Sequence, residues 1–589
     1  MVAAGLACWP HGPAGQRPRL GHAIAPEQYT PQIGRRGGRL VLPSLGRPKS
    51  FNPITSGEMS TIDFTQFMYL GLTAMDPWTF AAQPSLATDW ASDAAGLVWT
   101  VKLRPGVRWS DGQPLRADDV LFTFDTIYDS RTISSARDSL LGPAKERWKL
   151  EKLDDLTLRF TLPARNAAFP ELLNQPIIPR HRFGTIVAAG KFNEAMGTNS
   201  RGEDLPVTGP FMLAGYDGTR VIFKRNPQFY KTDAAGNRLP YLDELLWLIV
   251  PEVNTQMLKF RQGELDATTV MGKDYPLFVR PQKRADFTLY MLGPNWGESF
   301  LDFNQNTGVN PRTHRPYVQP HKLAWFRDAR FRRAVSHAMD RRFMADGILN
   351  GLAYPQYGPM TLHGEALMAN VDVPRYEYDL DKARALLKEM GLEDRDGDGC
   401  LEDGQGHRVE FTLTTNVESE VRAKVAACIR QDLEKLGIRV NLRSMTFNAL
   451  ITSLDSTYDW EACLMTILGT PEPHWGADVW KSAGRAHEWF PNQVQPSTAW
   501  EAELDEIFDR GITEMDPVRR REIYARWQEI VAEQQPLIYT VIPEAMVALR
   551  GRFGNVFPSR RTFPEPPNAI FHNIEEIYVL GGESGQTRE

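Results

Sequence analysis

Asp394, Asp396, Asp398 and Gly399 read D-x-D-x-D-G, an order in which carboxylates at the first, third and fifth positions of a turn can gather around calcium. The twelfth position is Gln405, not the Glu that would grip the ion with two oxygens, so a solvated acidic turn is the simpler account. His337 lies on a helix among core residues and His474 in a Pro/Trp-rich loop, and a lone histidine is more often packed or exposed than catalytic. The chain has no G-x-S-x-G elbow, no H-E-x-x-H pair, no G-x-x-x-x-G-K-S/T phosphate loop and no dinucleotide fingerprint. Cys8, Cys400, Cys428 and Cys463 form no C-x-x-C pair, which indicates neither a zinc site nor a disulfide framework. No catalytic residue, cofactor or metal is therefore expected. With 73 acidic residues, a glycosidase would need two carboxylates facing a cleft about 5–10 Å apart, and spacing alone does not specify that.

The elements that would position any site are clearer. In residues 97–124, Trp99, Val101 and Leu103 alternate with Thr100, Lys102 and Arg104, the period of a half-buried strand. Pro105-Gly106 turns the chain, Val107 and Trp109 resume the alternation, and Asp111-Gly112 turns it again. Val120, Leu121, Phe124 and Ile127 then recur at helical spacing, with Asp118 and Asp119 in the first turn, where carboxylates complement exposed amides. Residues 409–443 read strand, helix, strand: Val409, Phe411 and Leu413, then Val421, Val425, Ile429, Leu433 and Leu436, then Ile438, Val440 and Leu442 after Gly437. A parallel crossover is the usual solution, so this half is an α/β lobe. Asp379 is expected to cap a helix presenting Ala383, Leu386, Leu387 and Met390 and closed by Gly391. Phe331, Ala334, Val335 and Ala338 form the buried stripe of another helix.

A chain of 589 residues exceeds what one core usually supports, and two or three lobes are expected. Hydrophobic content of 42% and charged content of 24% are those of an ordinary globular protein. A net charge of −6, spread along the chain, argues against a nucleic-acid surface. No run approaches the roughly 20 apolar residues that span a bilayer. Residues 9–38, rich in Pro, Gly, Arg and His, read as a flexible leader.

The run LVWTVKLRPGVRWSDGQPLRADDVLFTF resembles the signature of the family 5 extracellular solute-binding proteins, the peptide and oligopeptide receptors of ABC importers. Phe51-Asn52-Pro53, Leu70-Gly71-Leu72, Pro84-Ser85-Leu86-Ala87, Thr208-Gly209-Pro210-Phe211, Arg225-Asn226-Pro227 and residues 327–340 resemble further landmarks, in the family's order. The resemblance implies an α/β, two-lobed periplasmic-binding-protein-like fold of class II type with an inserted subdomain, three domains in all. It places a leader at 1–37, lobe I at 38–70, 207–297 and 536–580, the inserted subdomain at 71–206 and lobe II at 298–535. The strand-like residues 300–303 and 537–541 would be the crossings about which the lobes close. Gly5-Leu6-Ala7-Cys8 resembles the end of a bacterial lipoprotein signal, although Gly5 stands where Leu is commonest. That reading puts the start of the chain downstream of a longer signal, or trims it; a chance cysteine is the alternative. A periplasmic or membrane-tethered extracytoplasmic location would follow.

The resemblance further implies a monomeric receptor that performs no reaction, holds a small-molecule or oligopeptide ligand, serves an ABC permease and binds no nucleic acid. Residues 458–470 resemble the lobe II strand leading into the binding loop, where peptide-binding relatives commonly hold the ligand ammonium with an Asp. Here the loop reads Gly469-Thr470-Pro471-Glu472-Pro473-His474-Trp475, without that Asp. Glu472 is the nearest substitute. The expected ligand-binding set is Trp296, Gly469, Thr470, Glu472, Trp475 and Trp489, with Trp480 as a further cleft candidate, since flat rings suit stacking on sugars, peptide bonds or apolar groups. The missing Asp and the abundant Trp leave open an oligosaccharide or other non-peptide cargo, and a secreted hydrolase on a similar scaffold is the third reading.

Overall fold

A computed structural model describes residues 18–134, 136–280, 286–360, 370, 372–560, 562 and 567–581. Cys8 and the first half of the expected leader lie outside the described residues. The second half is not a free leader: Arg19–His22 pairs in parallel with Phe287–Pro294 and edges a sheet of lobe I. Pro- and Gly-rich composition hid this short strand, whose pairing partner lies far away in sequence.

Lobe I contains two sheets. One runs in the order Arg19–His22, Phe287–Pro294, Val541–Arg550, Ala267–Thr269, and the other Arg39–Ser44, Glu244–Ile249, Arg220–Arg225, Phe211–Tyr216. Residues 71–206 add an antiparallel sheet of Ala87–Ser92, Val98–Leu103, Thr157–Thr161 and Lys149–Asp154. Its apolar face does not form a separate core. Val101, Leu103, Trp109, Phe124 and Phe160 join Leu40, Phe51, Phe64, Phe211 and Val221 in one continuous cluster. Lobe II has a five-stranded mixed sheet in the order Arg439–Met445, Glu410–Asn416, Ala462–Leu468, Gly297–Phe303, Leu537–Tyr539. The expected crossover is present: Glu410–Asn416 and Arg439–Met445 are parallel, joined by helix Glu420–Glu434.

The two lobe II strands nearest the hinge belong wholly to its sheet. Gly297–Phe303 is paired on both sides, by Ala462–Leu468 and by Leu537–Tyr539. The crossings are therefore shorter than the strands expected to form them: the chain changes sheets between Pro294 and Gly297, and at Thr540 between Leu537–Tyr539 and Val541–Arg550. A third tie went unread in the sequence. Ala353–Pro355, within the lobe II segment, pairs antiparallel with Val541–Arg550 of lobe I. Three residues are too few to show a strand period.

Residues 97–124 fold as their pattern requires, with strand Val98–Leu103 and helix Ala117–Tyr128. Gly106 and Gly112 have φ of 77° and 88°, a region that costs glycine little. Asp119 does more than complement the helix dipole. Its buried carboxylate accepts from Arg116 N at 3.0 Å, Arg180 N at 2.9 Å and Trp109 Nε1 at 3.3 Å, tying hairpin, helix and the next helix together. Asp119→Ala strands one buried and two partly buried donors, so a stability loss of about 2–3 kcal/mol is expected in urea unfolding; a loss below about 1 kcal/mol would contradict this account.

Candidate functional site

The two faces of the lobe II sheet are covered differently. One packs on helices Ala329–Ala338, Leu380–Glu389 and Glu420–Glu434. The other carries Phe300, Cys463, Met465, Leu537 and Tyr539. This second face is covered by helices of its own lobe, Ala499–Thr513 and Pro517–Gln534, with Met75 and Phe80 reaching it from residues 71–206. Phe80 meets Trp296 edge-on, ring centroids 5.2 Å apart, where the chain crosses. Farther out, Ala167 N donates to Ile512 O at 2.7 Å, so residues 71–206 also touch lobe II at the mouth of the cleft.

The loop after Ala462–Leu468 returns to the crossing. Gly469 N donates to Trp296 O at 2.7 Å, and a Cβ at 469 would stand 2.7 Å from that oxygen and 2.8 Å from Glu298 Oε1. Only glycine fits so close an approach. Thr470 Oγ1 donates to Glu472 O at 2.9 Å, holding the loop on itself. Trp475, half-buried, packs on the cluster of this second face, and its indole N–H has no hydrogen-bond partner among the described residues.

Glu472 caps the short turn Pro473–Gly476, accepting from His474 N at 3.0 Å. Its two oxygens also take both terminal nitrogens of Arg520, at 2.9 and 2.5 Å. The fork is buried, with 8% and 9% of the two side chains exposed, and Arg520 Nε donates to Gly511 O at 2.8 Å. The expectation that Glu472 offers a free carboxylate to a ligand ammonium gives way to this pair, because the charge is already matched. Glu171, from residues 71–206, presses against it: burial raises its carboxyl pKa, the Glu472 charge adds to the rise, and Arg520 offsets it. His474 is held neutral, pushed down to about 4 by burial.

The tryptophans divide. Trp296 is enclosed at the crossing beside Phe80. Trp489 is fully buried inside lobe II, 4.0 Å from His487, 5.9 Å from Trp480 and 5.7 Å from Trp500 between ring centroids, and donates to Glu501 at 3.1 Å. The expectation that Trp489 and Trp480 stack on a ligand is corrected on that ground: neighbouring rings already cover their faces. Neither partner set was visible in sequence, since Trp and Arg in loops and helices carry no local signal of what they will meet.

Asp394, Asp396 and Asp398 do gather, with ligand-capable oxygens within 4.8 Å of one another, all exposed. Asp394 accepts from Gly397 N and Gly399 N at 2.7 and 3.0 Å, and Asp398 from Cys400 N at 2.9 Å and Arg408 at 2.5 Å. The turn uses its carboxylates to hold its own backbone, and it lies away from the cleft. Arg332 and Arg341, both fully buried in lobe II, were missed in the sequence. Arg341 Nε donates to Tyr539 O at 2.8 Å, bracing the strand just before the second crossing.

Residues 81–488 match the family described as bacterial extracellular solute-binding proteins, family 5, middle. The chain is 28% identical over 526 residues to the probable ABC transporter-binding protein of Deinococcus radiodurans, covering 85% of this chain and 86% of that protein. It is 26% identical over 529 residues to the oligopeptide-binding protein AppA of Bacillus subtilis, covering 87% and 88%. The solved structure of that AppA in complex with a nonapeptide superposes with a TM-score of 0.67 at 24% identity, over 93% of this chain and all of the other. The two-lobed fold is thus shared with these proteins, and the chain belongs to the family 5 bacterial extracellular solute-binding proteins.

Proposed function

We propose that the protein is the extracytoplasmic receptor of an ABC importer, enclosing a peptide-like solute between its lobes and presenting the closed form to a membrane permease. The observation that carries this reading is the pair of short crossings, at residues 295–296 and at Thr540, joining two sheets whose facing surfaces meet through Phe80, Trp296 and the loop from Gly469. Rigid lobes on narrow crossings close by small dihedral changes, and a ligand favours closure to the extent that it binds the closed state better. Peptide cargo is supported by AppA, whose name and bound nonapeptide describe that relative. On this reading the solute leaves chemically unchanged, in keeping with the family of solute-binding proteins to which the chain belongs.

A thermal-shift screen of a peptide library tests the reading. A cognate peptide at 100 times its Kd is expected to stabilise the native state by about 2.7 kcal/mol and to be recovered intact by mass spectrometry. A library without one stabilising member, or a peptide returned cleaved, would overturn it.

A further inference from the structure

Three strands of the lobe II sheet run the same way: Glu410–Asn416 is parallel both to Arg439–Met445 and to Ala462–Leu468. Their carboxyl ends lie where the chain passes to lobe I. Leu468 stands opposite Gly297, next to one crossing, and Leu537–Tyr539 runs toward the same end before the other crossing at Thr540. Each of the three strands finishes there in a large apolar side chain left in the open: Phe447 is 46% exposed, Val417 57% and Leu468 48%. In the order of the sheet they follow one another toward the crossing. Val417 N donates to Met445 O at 2.8 Å and Phe447 N to Glu418 Oε1 at 3.0 Å, which holds the first two strand ends together.

Charges along this row are already matched. Glu418 also accepts from Asn416 Nδ2 at 2.8 Å, Glu420 pairs with Lys424 at 2.8 Å, Arg422 donates to Asn416 Oδ1, and Glu472 in the loop after Leu468 holds Arg520. Lobe I comes near the same edge. Lys424 holds the Glu420 carboxyl below its usual range, and Lys273, in the lobe I turn Gly272–Asp274, adds to that effect. The row thus borders the gap between the lobes.

Single apolar side chains on a surface need no explanation, but a contiguous set marks an interaction site, and ligands of open α/β sheets sit outside the carboxyl ends of the strands. Two strand spacings make the row about 10 Å long, against about 7 Å between alternate side chains of an extended chain. We propose that Phe447, Val417 and Leu468 form the wall for apolar side chains of the solute, so that the cargo is an extended peptide with aliphatic or aromatic residues two positions apart. The proposal rests on the reading of the protein as a peptide receptor and narrows its cargo. Closure takes the row and the guest's apolar groups out of water together, which favours the closed state in proportion to the area buried. A lysine or glutamate arm would lose its water there and meet only charges that already have partners.

Calorimetry on the full chain tests the wall with Ala-Leu-Ala-Leu-Ala, Ala-Lys-Ala-Lys-Ala and Ala-Glu-Ala-Glu-Ala, and with n-octyl glucoside below its micelle concentration as an apolar probe that is not a peptide. The leucine peptide is expected to bind at least about tenfold tighter than either charged one. A double variant, Val417→Asn with Leu468→Asn, should bring that ratio to within about threefold. Leu153→Asn, at a similarly exposed apolar position in the sheet of residues 71–206, should keep the wild-type ratio. These side chains are all exposed, so each variant is expected to melt near wild type. A leucine peptide no tighter than the charged ones, or a double variant that keeps the wild-type ratio, would overturn the wall and leave the peptide reading standing. Binding of n-octyl glucoside alone, weakened in the double variant, would keep the wall and remove the peptide reading. Failure of every probe to bind would overturn the wall.

Discussion

Arg520→Ala is expected to destabilise the protein by about 3–5 kcal/mol at pH 8, the cost of leaving a buried ion uncompensated. Three losses combine in the one substitution. Glu472 keeps its burial but loses both charge-assisted bonds, Gly511 O loses its donor at 2.8 Å, and Glu171 loses the positive charge that offsets its neighbour. Lysine should rescue only part of the loss, since a point charge cannot bond both Glu472 oxygens as the planar fork does. The pH dependence follows from Glu171, whose carboxyl already titrates above the usual range. Without Arg520 its neutral form is favoured further, so the variant regains stability as pH falls toward 4 and loses it as pH rises. Melting curves at pH 5 and pH 8 check this: the deficit relative to wild type should be clearly larger at pH 8. A variant melting within about 1 °C of wild type at both values would show that the fork holds nothing. Because Glu171 comes from residues 71–206 and the fork from lobe II, the same variant should also loosen contact at the cleft mouth, seen as a larger radius of gyration in solution scattering.

Gly469→Ala should cost at least about tenfold in ligand affinity while leaving the far-ultraviolet dichroism of the fold unchanged. The added methyl would stand 2.7 Å from the Trp296 carbonyl and 2.8 Å from Glu298 Oε1, and the first of these is backbone that cannot swing aside. Relief requires the loop to retreat, which breaks the 2.7 Å bond from Gly469 N to Trp296 O at the crossing. The closed arrangement then becomes a minor state, and apparent affinity falls in proportion to its population. Titration calorimetry with a stabilising peptide from the library screen provides the measurement. Wild-type affinity in this variant would mean that the loop does not set the closed geometry.

Much of the fold was legible because it repeats locally. The alternation of Trp99, Val101 and Leu103 became strand Val98–Leu103, and these three side chains are buried. Asp379 caps helix Leu380–Glu389, accepting from Asp381 N and Lys382 N at 3.1 and 3.0 Å. Gly391 and Gly437 follow their helices at φ of 75° and 84°, as helix-closing glycines do. The site was less legible. Glu472 was read as free because its partner lies 48 residues away, on a helix whose own pattern only marks Arg520 as one of many surface-type residues. Trp489 was read as a ligand platform because aromatic residues in a loop look alike whether they meet a guest or one another.

By itself, the sequence determined the elements, the α/β character, the family and the absence of familiar catalytic motifs, because period, capping and turn chemistry are properties of neighbouring residues. Only the tertiary structure decided where the chain changes lobes, that Glu472 is paired with Arg520, and which tryptophans are already covered. Those outcomes depend on long-range pairing, burial and electrostatic compensation, and these exist only once distant segments share one space.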